Sequence, residues 1–247
     1  VGLEVFDFEA IEDRRIPVYV NSGINSQSVA EHTLMLILAT LKRLSIVDAN
    51  TRNGVWIKQE QGLLNFELAG KTIGIIGIGN IGKKVAAFIR PFQSKVIYYD
   101  TNQLDPHEED SLNISYCTLD KLYKESDVIT LHCPLNAKTK YMLSQDSFRK
   151  MKAGVIIINT SRGGLINEAD LIAGLGTGEI KFAGLDVYEE EPLSPSSPLL
   201  SLPNVILTPH IAGITHDSFV KMMKESFNNI SLFEFGQQKM IADRRIL

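Results

Sequence analysis

"GIIGIGNIGKKVAAFI", residues 74–89, sets Gly77, Gly79 and Gly82 in G-x-G-x-x-G spacing. Alone, that spacing is weak evidence, because glycine is common and the pattern also falls in unrelated loops. Its surroundings make it specific. The apolar run TIGIIG (72–77) reads as a strand, and the residues after Gly79 open a helix. The next strand, KVIYYD (95–100), ends in Asp100, at the distance a ribose-binding acid occupies in dinucleotide sites. The first glycine makes the tight turn, and the second lets backbone approach a pyrophosphate. The third allows close helix–strand packing, while the helix N-terminus offers amides and a positive dipole to the phosphates. Asp100 can accept hydrogen bonds from both ribose hydroxyls and would repel a 2′-phosphate. No arginine follows it in DTNQLD (100–105), so NAD is favoured over NADP.

Outward from this stretch the chain alternates short apolar strands with helices. Further strands are expected at DVITLHC (127–133), GVIIINT (154–160), FAGLDV (182–187) and NVILTP (204–209). Helices are expected at 80–91, 118–125, 145–152 and 167–176. Continuous Val/Ile runs between helices indicate an α/β fold, a doubly wound parallel sheet covered on both faces. Upstream, QSVAEHTLMLILATLKRL (27–44) carries Ser28 and Glu31 in capping-box spacing, and is apolar nearly all round. That helix belongs in the core or against a second subunit, and its His32 reads as structural. NGVWIKQEQGLLNFEL (53–68) reads mostly as a connection, and 215–235 as an amphipathic segment. The opening VGLEVFDFEA, with strand-like IPVYV (16–20) close behind, reads as the tail of an earlier unit.

Composition narrows the partners. Of 247 residues, 44% are hydrophobic and 22% charged, the profile of an ordinary globular protein. A formal charge of −4 gives no reason to expect nucleic acid or an anionic membrane. The longest apolar run, LMLILATL (34–41), is too short to cross a bilayer. Cys117 and Cys133 make no disulfide framework and lack metal-ligand spacing, so no metal is expected and a reducing cytoplasm is the simplest setting.

Three stretches fall at the C-terminal ends of later strands, where ligands sit in open α/β sheets. NTSRGGLINE (159–168), GLDVYEEEP (184–192) and TPHIAG (208–213) together offer an arginine, an acid and a histidine. With NSGINSQSVAEH (21–32), GKTIGIIGIGNIG (70–82), LHCPLNAKTKYML (131–143) and MKAGVIIINTSRGGLINEADL (151–171), the chain resembles the D-isomer-specific 2-hydroxyacid dehydrogenase family. Its style is that of the phosphoglycerate dehydrogenase and glyoxylate/hydroxypyruvate reductase branches. The resemblance covers about residues 1–235.

It implies an NAD-dependent hydride transfer at the α-carbon of a small D-2-hydroxy or 2-oxo acid. Arg162 is implied to anchor the substrate carboxylate, for which its planar fork is suited. His210 is implied to be the acid/base, and Glu191, directly before Pro192, the acid that pairs with it. Glu189 and Glu190 are left to a solvated loop. Asp186 is implied to hold the nicotinamide carboxamide or its surroundings. Asn80 and Ile81 are placed under the pyrophosphate, Thr160 and Ser161 near the nicotinamide ribose, and His132 and Pro134 along the adenosine side. Arg162, His210 and Gly213 complete the cofactor-side set.

The domain expectation also follows the resemblance. Residues 21–213 form the NAD-binding domain, while 1–20 and 214–247 are remnants of a flavodoxin-like substrate domain. Family members carry a further N-terminal segment that is not in this sequence. In relatives the helix 28–44 packs at a two-fold interface, so a homodimer is expected. The alternative reading is an NAD-sensing dimeric corepressor-type module of the same fold.

Overall fold

The apolar runs pair into one sheet of seven strands, all parallel. In chain order they are β1 (Thr72–Ile76), β2 (Lys95–Tyr99), β3 (Ile114–Tyr116), β4 (Val128–Leu131), β5 (Val155–Asn159), β6 (Ile180–Leu185) and β7 (Val205–Leu207). Across the sheet the order is β3-β2-β1-β4-β5-β6-β7. The chain therefore winds outward from β1, then returns to start again at β4. That reversal opens a crevice beyond the carboxyl ends of β1 and β4, the usual ligand position in such sheets. Six strands were expected. The seventh, β3, is an edge strand of three residues, too short to carry a pattern.

Every residue of β4 and β5 is buried, as strands covered on both faces must be. Alternate residues feed opposite cores: Ile73, Ile75, Ile156 and Ile158 pack on one face. Ile76, Ile129, Leu131 and Ile157 pack on the other. This is a computed structural model that describes residues 6–236. It divides into two compact units, one of 29–212 and one formed by the chain up to Ser28 with the chain from Gly213.

Helices of the described residues are α1 (Phe8–Asp13), α2 (Ser26–Leu41), α3 (Leu44–Arg52), α4 (Lys58–Gly62) and α5 (Asn80–Ile89). They continue with α6 (Pro106–Leu112), α7 (Leu119–Glu125), α8 (Gln145–Phe148), α9 (Glu168–Thr177) and α10 (His216–Glu234). α2 starts two residues before the expected cap, so Ser28 and Glu31 lie within the helix rather than forming a capping box. It ends at Leu41, and Arg43, with φ +51°, separates it from α3, a helix not among those expected. The expected connection 53–68 likewise contains the short α4. Leu36, Ile37 and Leu41 are fully buried, and α2 lies close on the sheet because Gly184 in β6 has no side chain. A Cβ there would come within 3.1 Å of Leu36 Cβ.

In the smaller unit, IPVYV forms only an isolated bridge at Tyr19 rather than a strand. Thr215 and Ser218 cap α10 reciprocally, side chain to backbone. Asn21 bonds Ser226 at 2.9 Å and Asn229 at 2.8 Å, and the Tyr19 ring meets Phe233 edge-on. Phe219, Phe227 and Ile230 of α10 are each more than half exposed.

Candidate active site

The glycine loop meets each demand in turn. Gly77 has φ +96°, and a Cβ there would stand 2.5–2.6 Å from the backbone of His132 and Cys133. A Cβ on Gly82 would collide with the Gly77 carbonyl oxygen, so this helix can touch this strand only through glycine. Gly79 is different: nothing lies within 4 Å of where its Cβ would be. The free space over Gly79, at the cap of α5, suits a pyrophosphate, with Asn80 and Ile81 as the first helical residues. Asp100 directly follows β2, with one oxygen accepting from the Ile78 amide (2.7 Å) and the other from the Asn102 amide (3.2 Å). Those bonds fix the carboxylate beside the glycine loop.

At the end of β4, His132 Nε2 bonds the Thr130 hydroxyl at 3.0 Å. Its Nδ1 is out of contact with solvent and has no partner among the described residues. Burial lowers the pKa of this ring well below the ordinary histidine value. It is a packed, neutral histidine under Gly77, while Pro134 is exposed. Burial pushes the neighbouring Cys133 thiol up to about 11, which removes it as a nucleophile.

At the end of β5, the Asn159 side chain spans a tight turn, donating to Arg162 O (2.9 Å) and accepting from Ser161 N (3.1 Å). Ser161 Oγ donates to Cys133 O at 2.7 Å, and Arg162 Nη1 to Ser161 O at 2.7 Å. Gly163 lies directly against the Tyr188 backbone, where any Cβ would overlap the Tyr188 carbonyl. That contact brings the Arg162 loop against the loop of the three glutamates.

Glu191 Oε2 and His210 Nδ1 are 2.6 Å apart. Glu191 Oε1 accepts from the Tyr188 amide (3.1 Å), which holds the carboxylate in place. With Nδ1 engaged, Nε2 is the ring nitrogen able to exchange a proton. His210 has φ +55°, and its amide donates to Thr208 O at 3.0 Å across Pro209. Tyr188 contributes again, its hydroxyl donating to Thr208 O at 2.9 Å; burial raises its pKa to about 12, so it stays a donor.

Asp186 is fully buried, and its partners are Thr208 Oγ1 (2.6 Å), Ile211 N (2.9 Å) and Ala212 N (2.8 Å). It holds the turn around His210 from beneath. Glu189, expected in a solvated loop, accepts from Glu168 N (2.6 Å) at the start of α9 and from the Tyr141 hydroxyl (3.3 Å). His32, read as structural, bonds Thr208 Oγ1 at 3.0 Å, and beside it Thr33 bonds the buried Thr160 at 2.9 Å. Tyr188, Thr208 and Thr33 were not singled out from the sequence. The one usable signal was that a buried tyrosine hydroxyl needs a partner. Gly213 falls in the other unit, where its carbonyl accepts from Ser218 Oγ (2.9 Å).

A reversing parallel sheet, a glycine cradle with a carboxylate fixed beside it, and an acid-backed histidine at a later strand end define a nicotinamide-dependent oxidoreductase. The chain belongs to the D-isomer-specific 2-hydroxyacid dehydrogenase family: its residues 34–212 match that family's NAD-binding domain. It is 34% identical over 239 residues to the glyoxylate reductase of Korarchaeum cryptofilum, covering 96% of this chain and 72% of the relative. It is 40% identical over 220 residues to the hydroxypyruvate reductase of Thermotoga maritima, covering 88% and 70%. The D-lactate dehydrogenase of Aquifex aeolicus, solved with NAD and lactic acid, superposes with a TM-score of 0.88 at 32% identity, covering 99% of this chain and 77% of that one. NAD is the cofactor, and nothing among the relatives supports the corepressor alternative. Among the described residues no helix is long and apolar enough to cross a membrane.

Proposed function

We propose that the chain interconverts a small 2-oxo acid and its D-2-hydroxy acid, with glyoxylate and hydroxypyruvate the first substrates to test. NAD supplies or accepts the hydride. Arg162 holds the substrate carboxylate, His210 gives a proton to the carbonyl oxygen in reduction and removes it in oxidation, and Glu191 orients the ring. The observation that carries this reading is the 2.6 Å bond from His210 Nδ1 to Glu191, which leaves Nε2 for the substrate oxygen. In the same reading Gly77, Gly79, Asn80, Ile81, Gly82 and Asp100 hold the adenosine and pyrophosphate end. Thr160, Ser161 and Gly213 serve the nicotinamide end. Turnover of glyoxylate, hydroxypyruvate, pyruvate and 3-phosphohydroxypyruvate with NADH tests it. Reduction of none of them, by protein that binds NADH, would reject it.

The domain reading assigns 21–213 to the NAD domain and the flanking segments to a substrate domain. The exposed apolar residues of α10 favour a larger partner surface for that second part. A homodimer through helix 28–44 and the connection after it is supported by Met35, Trp56 and Leu63, exposed by 43%, 79% and 83%. A concentration-independent monomer mass in light scattering would exclude it. The free thiols of Cys117 and Cys133 fit a reducing compartment such as the cytoplasm.

A further inference from the structure

We infer that His32 on α2 is a positioning residue for the acid–base pair, fixing through Thr208 and Asp186 the turn that carries His210. The inference rests on the proposed reaction for its kinetic consequence and on geometry alone for the rest.

Counting protons assigns the direction of each bond. Thr208 Oγ1 lies 2.6 Å from Asp186 Oδ1 and 3.0 Å from His32 Nε2. A threonine hydroxyl has one proton, and a carboxylate can only accept. The Thr208 proton therefore goes to Asp186, and His32 must donate from Nε2. Burial lowers the His32 pKa, with Asp186, 3.6 Å from Nε2, pulling the other way, and Nε2 carries the donated proton whether the ring is neutral or charged. The chain of donors runs His32 Nε2–H to Thr208 Oγ1–H to Asp186. The same carboxylate then takes the amides of Ile211 and Ala212, one residue and two residues beyond His210.

The turn needs this support. A histidine at φ +55° occupies a sparsely populated region, a strain that its surroundings must offset. Thr208 is the pivot: its carbonyl receives the Tyr188 hydroxyl and the His210 amide, and its side chain receives His32. His32 reaches this pivot from a helix far earlier in the chain, and is only 13% exposed in its side chain. Its neighbour makes the parallel contact. Thr33 Oγ1 donates to Val29 O at 2.8 Å, so the Thr160 hydroxyl donates to Thr33, tying α2 also to the loop that presents Arg162. α2 thus backs both loops, and His32 is its link to the acid–base side.

The test compares His32→Leu, which removes the donor, with His32→Gln, which keeps one at similar reach. In the full chain, with hydroxypyruvate and NADH, His32→Leu should lower kcat by about ten- to a hundredfold, the scale of a small misplacement of a reacting group. The NADH dissociation constant and the KM for hydroxypyruvate should stay within about twofold, and His32→Gln should recover most of kcat. Thr208→Val should lower kcat similarly, and the double variant His32→Leu/Thr208→Val should be no worse than Thr208→Val alone. Amide exchange at Ile211 and Ala212 should quicken in His32→Leu and return in His32→Gln. That readout needs no turnover, so it separates failure of this inference from failure of the proposed reaction. Unchanged kcat and unchanged exchange in His32→Leu would overturn it. So would parallel losses of kcat and NADH affinity that His32→Gln does not relieve. If His32→Leu does not fold, Thr208→Val gives the same readings from the other end of the bond.

Discussion

The glycine-loop end of this sheet and the rim that carries His210, proposed as its cofactor and catalytic ends, are built by opposite means. At β1 and α5 the work is done by backbone. Gly77 must turn through φ +96°, Gly82 must touch the Gly77 carbonyl, and Gly79 must leave its surroundings open. At the ends of β5, β6 and β7 the work is done by side chains bonded across long stretches of sequence. Asp186 gathers Thr208, Ile211 and Ala212, Tyr188 holds both Glu191 and Thr208, and His32 arrives from α2. At Gly77 and Gly82 the backbone excludes every residue but glycine, so the requirement is written in the sequence at fixed spacing. A side-chain network uses ordinary threonines, tyrosines and histidines, whose partners only the fold decides.

If the two ends are separable, their variants should separate binding from turnover. The largest effect is expected for His210→Ala. Loss of a positioned acid/base should lower kcat by about 10²- to 10⁴-fold, with NADH affinity within about twofold of the parent. A matching fall in NADH affinity, by fluorescence titration, would mean that the rim also builds the cofactor end.

Next comes the choice among three glutamates. Glu191→Gln replaces a charge-assisted bond at 2.6 Å with a neutral one and should lower kcat by roughly tenfold. Glu189→Gln weakens an acceptor at the start of α9. It should lower stability by about 0.5–1 kcal/mol in urea melts, with little change in kcat. Glu190→Gln should change neither. A kcat loss in Glu190→Gln that exceeds the one in Glu191→Gln would move the acid to the wrong side of the loop for this reading.

On the cofactor side, Asp100→Ala should narrow the preference for NAD over NADP by about tenfold, chiefly by weakening NAD, since one hydrogen-bonded carboxylate is worth on that order. Equal affinities of the parent for both cofactors would sink the assignment of Asp100 to the ribose.

The same contrast sets what could be read in advance. The glycine loop, Asp100, Arg162, Glu191 and His210 stand in local patterns that spacing and family likeness single out. The strand pattern was legible too, because β4 and β5 are buried throughout and so are continuously apolar. β3, at three residues, carries too little pattern to be seen, and the break at Arg43 lies in a left-handed residue that no periodicity announces. The protein partners of Asp186 were not legible, because its amide donors come from beyond β7. Glu189 is exposed as expected, but nothing in its own stretch says that the start of α9 is beside it.

The smallest effect concerns His132, which lies under the backbone-built end yet acts through its side chain. Burial takes its pKa to about 3 in the folded chain, against 6.5 for an ordinary histidine. Well above 6.5 neither the folded nor the unfolded ring is charged, and the group adds no pH dependence. Between 6.5 and about 3 the unfolded ring takes up a proton that the folded ring refuses, so acid favours unfolding. The stability held above pH 6.5 is therefore lost progressively as pH falls. One such proton gives a slope of at most ~1.4 kcal/mol per pH unit, and near the top of the window, between pH 8 and pH 6, a loss of about 1 kcal/mol. His32, whose pKa is also lowered, contributes with the same sign and remains in the variant. His132→Asn should begin less stable, having lost the bond to Thr130, but its urea midpoint should fall less between pH 8 and pH 6 than that of the parent. Parallel midpoints for the two proteins would mean that the folded ring takes up its proton as readily as the unfolded one. The pocket under Gly77 would then be open to water, and the cofactor end would be less rigid than its glycines require.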